Sequence, residues 1–333
     1  MNDTFQCLLV TELPDGAGFD TAIIKKNIDD LPADEVLIRV QYSSLNYKDA
    51  LSATGNKGVT RQYPHTPGID AAGMIERSST PQWKEGHHVI VTGFDLGMNT
   101  SGGFAEYIQV PAKWLVSLPE NMTVRESMIY GTAGFTAGLS VLALLNSGVK
   151  PEDGPIAVSG ATGGVGSLAI GMLHRLGYQV AAISSKPDSS DFLTNIGATE
   201  IIPRTEMENF PERAMLKTRF AGAIDTVGGT VLATLLKTVH YGATVTACGM
   251  INGGNIPTTV FPFIIRGIKL AGIDSVEYPL EKRTPIWQKL ANEWKPQNLE
   301  IFASEIGLGE LPEKISDMLQ GNAQGRSLVK LNN

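Results

Sequence analysis

Cysteine is scarce in this sequence, and its scarcity excludes several classes of protein. Only Cys7 and Cys248 occur among the 333 residues. Two thiols cannot build the disulfide framework of a secreted domain or a four-cysteine zinc site, and they suit a reducing cytoplasm. The five histidines include no pair at i, i+4 spacing, and neither cysteine lies near a histidine along the chain. We therefore expect no bound metal ion.

Positive charge and long apolar runs are also limited. Lys and Arg number 27 against 34 Asp and Glu, and no basic run exceeds two residues, so we expect no nucleic-acid partner. The uncharged stretch 127–149 is interrupted by glycine, threonine and serine, which favours a buried helix over a membrane span. The apolar stretch 7–10 is too short for a signal peptide. The sequence predicts a cytoplasmic protein without a membrane partner.

Apolar residues and glycine are present in quantity. A hydrophobic fraction of 42% is enough to form hydrophobic cores, and the length corresponds to about two domains. Glycine, at 36 residues, is about 11% of the chain against a usual value near 7%. This excess indicates tight turns or places where two backbone segments approach closely.

The pattern of candidate strands, turns and helices changes near Gly131. Before it, turn residues separate candidate strands at 36–42, 88–92 and 105–110, which predicts a mostly β domain. After it, helical stretches separate short apolar strands at 156–159, 179–183, 199–202, 222–225, 244–247 and 269–273. This alternation predicts a doubly wound parallel α/β sheet. A helix at 311–319 and a strand from Ser327 are expected to return to the first domain.

The most informative motif follows the first of these parallel strands. Ala161, Gly163 and Gly166 form an A-x-G-x-x-G variant of the dinucleotide-binding fingerprint, between a strand and an amphipathic helix. Gly163 would let a pyrophosphate approach the backbone, and Gly166 would let the helix pack closely on the strand. The alternative is a simple tight turn. The strand-turn-helix context favours dinucleotide binding.

The end of the second parallel strand bears on which dinucleotide binds. It carries Ser184, Ser185 and Lys186, where an NAD enzyme would place a carboxylate for the ribose 2′-hydroxyl. Hydroxyls and a cation favour a 2′-phosphate, and Arg204 after the third strand could reach the same group. An ordinary polar loop is the alternative. We expect NADPH rather than NADH.

Several strings together resemble the medium-chain dehydrogenase/reductase superfamily. They are Ser44-Leu-Asn-Tyr-Lys-Asp49, Thr66-Pro-Gly-Ile-Asp-Ala-Ala-Gly73, Gly131-Thr-Ala-Gly-Phe-Thr-Ala137, the glycine-rich turn and Gln324-Gly-Arg-Ser-Leu-Val-Lys330. The lack of zinc ligands resembles the quinone oxidoreductase-like branch, and the strings resemble its acrylyl-CoA reductase (NADPH) subgroup. One departure is Ser184-Ser185-Lys186, where that family usually has Ser-Gly-Arg. A lysine keeps the charge but loses the bidentate fork, so the preference for NADPH would weaken slightly.

This resemblance implies a domain plan. A GroES-like catalytic domain would span residues 1–126 and be completed by 300–333, and a Rossmann NADP-binding domain would span 127–299. Zinc-free members of the superfamily generally form homodimers. An exposed edge strand at 269–273 could pair with a second copy.

The resemblance also implies site residues. The expected cofactor contacts are Tyr42, Thr136, Thr162, Gly163, Gly164, Val165, Ser184, Ser185, Lys186, Arg204, Gly249, Met250, Ile264, Ser275 and Arg326, the last on a cofactor or substrate phosphate. Asn46 and Tyr47 would face the nicotinamide in catalytic roles. Their alternatives are a turn residue and a half-buried aromatic, while Lys48 and Asp49 would be a solvated pair or helix-start charges.

The implied reaction is hydride transfer from NADPH to the β-carbon of an α,β-unsaturated acyl-CoA, with acrylyl-CoA giving propanoyl-CoA as the best expectation. A backbone N–H or the Asn46 amide would stabilise the thioester oxygen. Tyr47 and solvent are equal candidates for the proton donor. Two alternatives stay open: NADPH-dependent quinone reduction, and a non-catalytic NADPH-binding redox sensor.

Overall fold

The computed structural model describes residues 4–210 and 213–331, which form two compact units. Unit 1 comprises the described residues of Met1–Thr132, Val276–Ala291 and Ala303–Asn333. Unit 2 comprises those of Ala133–Ser275 and Asn292–Phe302. This division differs from the predicted one in two respects. Segment 276–291 packs with unit 1, and the chain first passes from unit 1 to unit 2 after Thr132 rather than after residue 126.

The elements of unit 1 are mainly strands. In chain order the strands are β1 (Thr4–Glu12), β2 (Phe19–Asn27), β3 (Val36–Leu45), β4 (Asp70–Ser78), β5 (His88–Thr92), β6 (Tyr107–Val110) and β7 (Leu115–Ser117), followed much later by β14 (Ala303–Ile306) and β15 (Arg326–Lys330). The helices are α1 (Tyr47–Ala53), the start of α2 (Val124–Asn146), α8 (Leu280–Ala291) and α9 (Leu311–Leu319).

The elements of unit 2 alternate between strand and helix. The strands are β8 (Ile156–Ser159), β9 (Val180–Ser184), β10 (Glu200–Pro203), β11 (Gly222–Asp225), β12 (Thr244–Ala247) and β13 (Lys269–Gly272). Between them lie α3 (Gly164–Arg175), α4 (Ser190–Asn195), α5 (Arg204–Glu208), α6 (Gly229–Thr238) and α7 (Phe261–Arg266), after the remainder of α2.

Unit 1 is built on a seven-stranded sheet with the order β14-β15-β3-β4-β5-β7, in which β6 also pairs with β3. β1 and β2 form a separate antiparallel hairpin. β3 is buried on both faces, since Val36, Ile38 and Val40 enter one core whereas Leu37 enters a second with Phe5. This double burial explains why the sequence of β3 alternates only partly between apolar and polar residues.

Segment 276–291 joins unit 1 through a buried arginine. The Arg283 guanidinium donates to the carbonyl oxygens of Thr92 at 2.8 Å and Val276 at 2.7 Å. It also lies 4.3 Å from the centroid of the Phe94 ring, which stacks on Trp114. A guanidinium with carbonyl acceptors and an aromatic face can be buried at tolerable cost. These contacts hold the segment on β5 and its following loop.

Unit 2 is a parallel six-stranded sheet with the order β10-β9-β8-β11-β12-β13. Numbered from its first strand, that is the order 3-2-1-4-5-6 of the doubly wound dinucleotide-binding fold. The predicted bounds of β8, β11 and β12 agree with the structure, and those of β9, β10 and β13 differ by one residue. The predicted fold class, a Rossmann sheet plus a mostly β, GroES-like domain, is confirmed.

Helix α2 carries the long uncharged stretch. It is the one helix among the described residues that is long and apolar enough to cross a membrane, and 78% of its most apolar window is buried within the protein. Its regular backbone is interrupted at Gly131, where φ is 51° and ψ is −155°. The expected buried helix is confirmed, with a break that divides it at the boundary of unit 1.

Candidate cofactor and active site

The glycine-rich turn of unit 2 leads from β8 into α3. Gly163 is the N-cap residue of α3, and a Cβ built on it would meet only the Gly160 carbonyl oxygen, at 3.3 Å. A Cβ on Gly166 would lie 2.4 Å from that same oxygen, so the fold itself requires glycine there. The fold has little need of glycine at 163, and a small residue there suits close approach of a phosphate to the helix N-terminus.

A buried carboxylate fixes this turn. Asp225 at the end of β11 accepts a hydrogen bond from the Ser159 hydroxyl at 2.7 Å and from the Gly228 amide at 2.7 Å. Thr226 adds two more bonds to Ser159, from its amide and its hydroxyl, each of 2.9 Å. Burial raises the pKa of Asp225. The end of β8 is thereby held in one position, which presets the geometry of the turn.

The residues expected at a 2′-phosphate lie together at the ends of β9 and β10. The backbone amide of Lys186 donates to the Ser184 hydroxyl at 3.0 Å. Pro203 pairs with Ser184 across the sheet, and Arg204 follows directly. The Arg204 Nε lies 3.0 Å from Glu208, so the side chain is anchored at its inner nitrogen. Partial burial lowers the pKa of the Lys186 ammonium, and a nearby phosphate would oppose that shift.

The remaining cofactor candidates of unit 2 either follow strands or lie on helices. Gly249 and Met250 follow β12, and Met250 is 75% exposed. Ile264 projects from α7 and is 71% exposed. Thr136 on α2 donates its hydroxyl to that of Ser275 at 2.9 Å, which joins two residues far apart in sequence. The carboxyl edge of a doubly wound sheet is where such folds bind nucleotides, and these residues fit a nicotinamide dinucleotide.

In unit 1 the catalytic candidates lie where β3 leads into α1. Asn46 is the N-cap residue of α1 and is 8% exposed. Its amide nitrogen donates to the Ser44 carbonyl oxygen at 3.1 Å and to Asp70 at 2.7 Å, and its amide oxygen accepts from Arg326 at 3.1 Å. Both amide hydrogens are thus engaged. Asn46 therefore has no free amide hydrogen for a thioester oxygen in this structure, and its catalytic role stays a prediction.

Tyr47 and Tyr42 have the more accessible side chains. Tyr47, the first residue of α1, is 45% exposed. Tyr42 is half-buried in β3, where it pairs with Ala72 and Lys330. Within the described part of the chain, neither side chain makes a hydrogen bond. The Tyr47 phenol is accordingly available to a substrate.

Asp49 is neither solvated nor paired with Lys48. It is fully buried, and its carboxylate accepts backbone N–H bonds from Asn46 at 2.8 Å, Gly68 at 3.1 Å and Ile69 at 2.8 Å. Burial, reinforced by the nearby Asp70 carboxylate, raises the pKa of Asp49 to about 7. The expectation of a helix-start charge was correct, and that of a solvated pair was wrong.

Arg326 lies in the interior of unit 1. It is 3% exposed, and its guanidinium donates to the carbonyl oxygens of Leu45 and Ile129 and to the side chains of Asn46 and Ser44, at 2.7–3.2 Å. It also lies 3.6 Å from Asp70. Four of the five guanidinium N–H groups are thus engaged within the protein, which leaves this buried side chain poorly placed for the expected contact with a cofactor or substrate phosphate. No local pattern predicts this burial, because a lone arginine in a polar tail is ordinarily exposed.

No group of three or more histidine, cysteine, aspartate or glutamate side chains that could hold a metal occurs in the part of the chain described. The absence of a metal stays a prediction based on the sequence.

Comparison with known proteins places this geometry in a family. The profile of the "Alcohol dehydrogenase GroES-like domain" matches residues 32–120, and that of the "Zinc-binding dehydrogenase" matches residues 164–292. The acrylyl-CoA reductase AcuI of Ruegeria pomeroyi is 42% identical, over 98% of this chain and 99% of its own. The Bacillus subtilis protein YhfP, provisionally named a quinone oxidoreductase, is 44% identical over 99% of this chain and 100% of its own.

Solved structures agree. The yhdH oxidoreductase from Salmonella enterica, crystallised with NADP, superposes with a TM-score of 0.94 at 42% identity and covers 98% of this chain and 100% of its own. Bacillus subtilis yhfP, crystallised with NAD, gives 0.95 at 42% identity, covering 98% and 99%. The chain belongs to the medium-chain dehydrogenase/reductase superfamily. It is an oxidoreductase of that superfamily. The prediction that it uses a nicotinamide dinucleotide cofactor is confirmed.

Proposed function

We propose that this protein uses NADPH to reduce an α,β-unsaturated acyl-CoA, with acrylyl-CoA converted to propanoyl-CoA. The observation that carries the proposal is the near-complete alignment with acrylyl-CoA reductase AcuI at 42% identity. A second relative from Escherichia coli, named a probable acrylyl-CoA reductase, is 45% identical over 91% of the chain. These relatives support a thioester substrate, whereas the name of YhfP supports a quinone as the second candidate.

NADPH would supply the hydride, which adds to the β-carbon of the alkene. The displaced electron pair moves toward the thioester oxygen, and a proton must then reach the α-carbon. Of the two catalytic candidates, Tyr47 alone presents a free polar group, so we assign it the placement of substrate and the delivery of this proton, directly or through water. A backbone N–H would stabilise the thioester oxygen, since both amide hydrogens of Asn46 are engaged.

We propose that the protein prefers NADPH to NADH because of the hydroxyl and basic side chains at the ends of β9 and β10. Ser184, Lys186 and Arg204 lie together there, and Ser185 is exposed beside them. A carboxylate on β9 would repel a 2′-phosphate, and none is present at this strand end. The yhdH complex with NADP supports this choice, while the yhfP complex with NAD makes the competing assay necessary.

The test is steady-state oxidation of NADPH and of NADH with acrylyl-CoA, beside the same assays with a 1,4-quinone. We expect rapid turnover of the thioester with NADPH and slow turnover with NADH. Turnover of the quinone alone would reject the acyl-CoA assignment and leave the oxidoreductase class intact. NADPH binding without turnover of either acceptor would favour a redox sensor.

We further propose a cytoplasmic homodimer. β13 is the outer strand of its sheet, and nearby apolar side chains are solvent-exposed in this chain: Met250, Ile251, Val260, Ile264 and Ile265. An open edge beside an apolar surface favours pairing with a second copy. Light scattering at micromolar concentration should give twice the chain mass of 35.6 kDa, and a monomer mass would reject the dimer.

A further inference from the structure

The strongest unassigned feature is the buried charge network of unit 1, formed by Asp49, Asp70, Arg326, Ser44 and Thr132. Asp70 is fully buried and accepts bonds from the Ser44 hydroxyl at 2.6 Å and from the Thr132 hydroxyl at 2.6 Å. The Arg326 guanidinium donates to Ser44 at 2.7 Å, which links the two charges through one hydroxyl. Asp49, Asp70, Arg326 and Ser44 are buried, and Thr132 is half-buried.

The network converges on the residue before Tyr47. Asn46 is held by Asp70 at its amide nitrogen, by Arg326 at its amide oxygen and by Asp49 at its backbone N–H. The preceding carbonyl oxygen, of Leu45, also accepts from Arg326 at 3.0 Å. The backbone at the start of α1 is therefore fixed from both sides, and Tyr47 is the next residue.

We propose that Asp70 and Arg326 are positioning residues, which act through Asn46 to place the Tyr47 phenol for the reduction. This inference rests on the proposed role of Tyr47 in the reaction.

Stability alone is a weak explanation for such a pair. Replacing a buried ion pair by packed apolar side chains is commonly neutral or stabilising, whereas a network of this kind fixes one conformation. The fold also makes room for it. A Cβ on Gly131 would lie within 2.9 Å of Asp70, Ser44 and Arg326, and the backbone there adopts a conformation essentially restricted to glycine.

The test is a double-mutant cycle of Arg326→Lys and Tyr47→Phe. Lysine keeps the charge but cannot reach four acceptors in different directions. Because a displacement near 1 Å can reduce a rate about 100-fold, we expect Arg326→Lys to lower kcat at least 10-fold. Binding of NADPH, followed by nucleotide fluorescence, should stay within about twofold. In the Tyr47→Phe background the same change should lower kcat by less than about threefold.

Ser44→Ala is the milder variant, should Arg326→Lys fail to fold. It removes the shared hydroxyl and should show the same non-additivity with a smaller loss. Arg125→Lys is the matched control, since Arg125 forms a partly exposed ion pair with Glu305 at 3.0 Å, and its kcat should not change. The cycle uses whichever acceptor the wild-type protein reduces. Failure with acrylyl-CoA thus counts against the proposed substrate alone.

Independent, multiplicative losses would show that Arg326 acts through the general structure and would overturn the positioning role. An unchanged kcat in Tyr47→Phe would overturn it as well, because there would then be no group to position.

Discussion

The buried Asp49 carboxyl predicts an unusual pH dependence of stability. Its pKa is about 7 in the folded chain, against about 3.9 for an unfolded aspartate. Between these two values the folded state keeps a proton that the unfolded state has released. The free energy of unfolding therefore falls as pH rises from about 4 to about 7, and this contribution is constant above that range. Most paired aspartates act in the opposite direction.

The structure sets the size of the effect. A difference of about three pKa units, at about 1.4 kcal/mol each, makes the contribution about 4 kcal/mol. Asp49→Asn removes the titrating group. Its side-chain NH₂ would also face the Asn46 amide, which is a donor, so we expect a loss of stability at every pH. The informative quantity is the difference between the two curves, because titrating groups that do not interact with Asp49 contribute equally to both.

Urea denaturation followed by tryptophan fluorescence measures this difference. Three of the four tryptophans, Trp83, Trp114 and Trp287, belong to unit 1 and report its unfolding. The wild type minus Asp49→Asn difference should shrink by about 4 kcal/mol from pH 4 to pH 8. Asp29→Asn, at an exposed acidic residue of the same unit, should leave the curve unchanged. Parallel curves for wild type and Asp49→Asn would refute the reasoning.

Three further outcomes are expected. In steady-state assays, Lys186→Ala and Arg204→Ala should each raise the KM for NADPH about 10-fold and change the KM for NADH less than twofold. The reason is that a hydrogen bond to a charged group is worth about 1.5–3 kcal/mol. Equal effects on the KM of both cofactors would contradict the 2′-phosphate assignment. Gly131→Ala should destabilise unit 1 by about 3 kcal/mol or more, and Gly86→Ala, at positive φ in open space, by about 1 kcal/mol, both by urea denaturation. Cys248 should resist iodoacetamide at pH 8 in the folded protein, because burial raises its pKa to about 12; modification detected by mass spectrometry would argue against that burial.

The regular parts of unit 2 could be predicted because local pattern determines them. The strand at Gly222–Asp225 is a short apolar run between turn residues, and the structure reproduces its bounds. The close approach at Gly166 follows from the fingerprint and its strand-turn-helix context. Such features depend on residues close together in sequence.

The buried charges could not be predicted in this way. The residues adjacent to Arg283 and Arg326 in the sequence do not distinguish them from surface arginines. The hydrogen-bond acceptors Thr92 and Asn46 lie far away from them in the sequence. Asn46 was predicted to be a catalytic residue from its motif. Its pattern, however, cannot show that Arg326 and Asp70 occupy its amide group. Only the assembled fold reveals which polar groups remain free.

The position of β15 between β14 and β3 has a consequence for synthesis on the ribosome. Asp70 is made about 250 residues before Arg326, which at 5–20 residues per second is a delay of roughly 10–50 s. Throughout that interval β3 lacks its neighbour β15. The carboxylates of Asp49 and Asp70, which will be buried, lack the Arg326 guanidinium beside them. Water must stay around them until translation is nearly complete. Unit 1 is therefore the later of the two to mature, although its first residues are the first to be made.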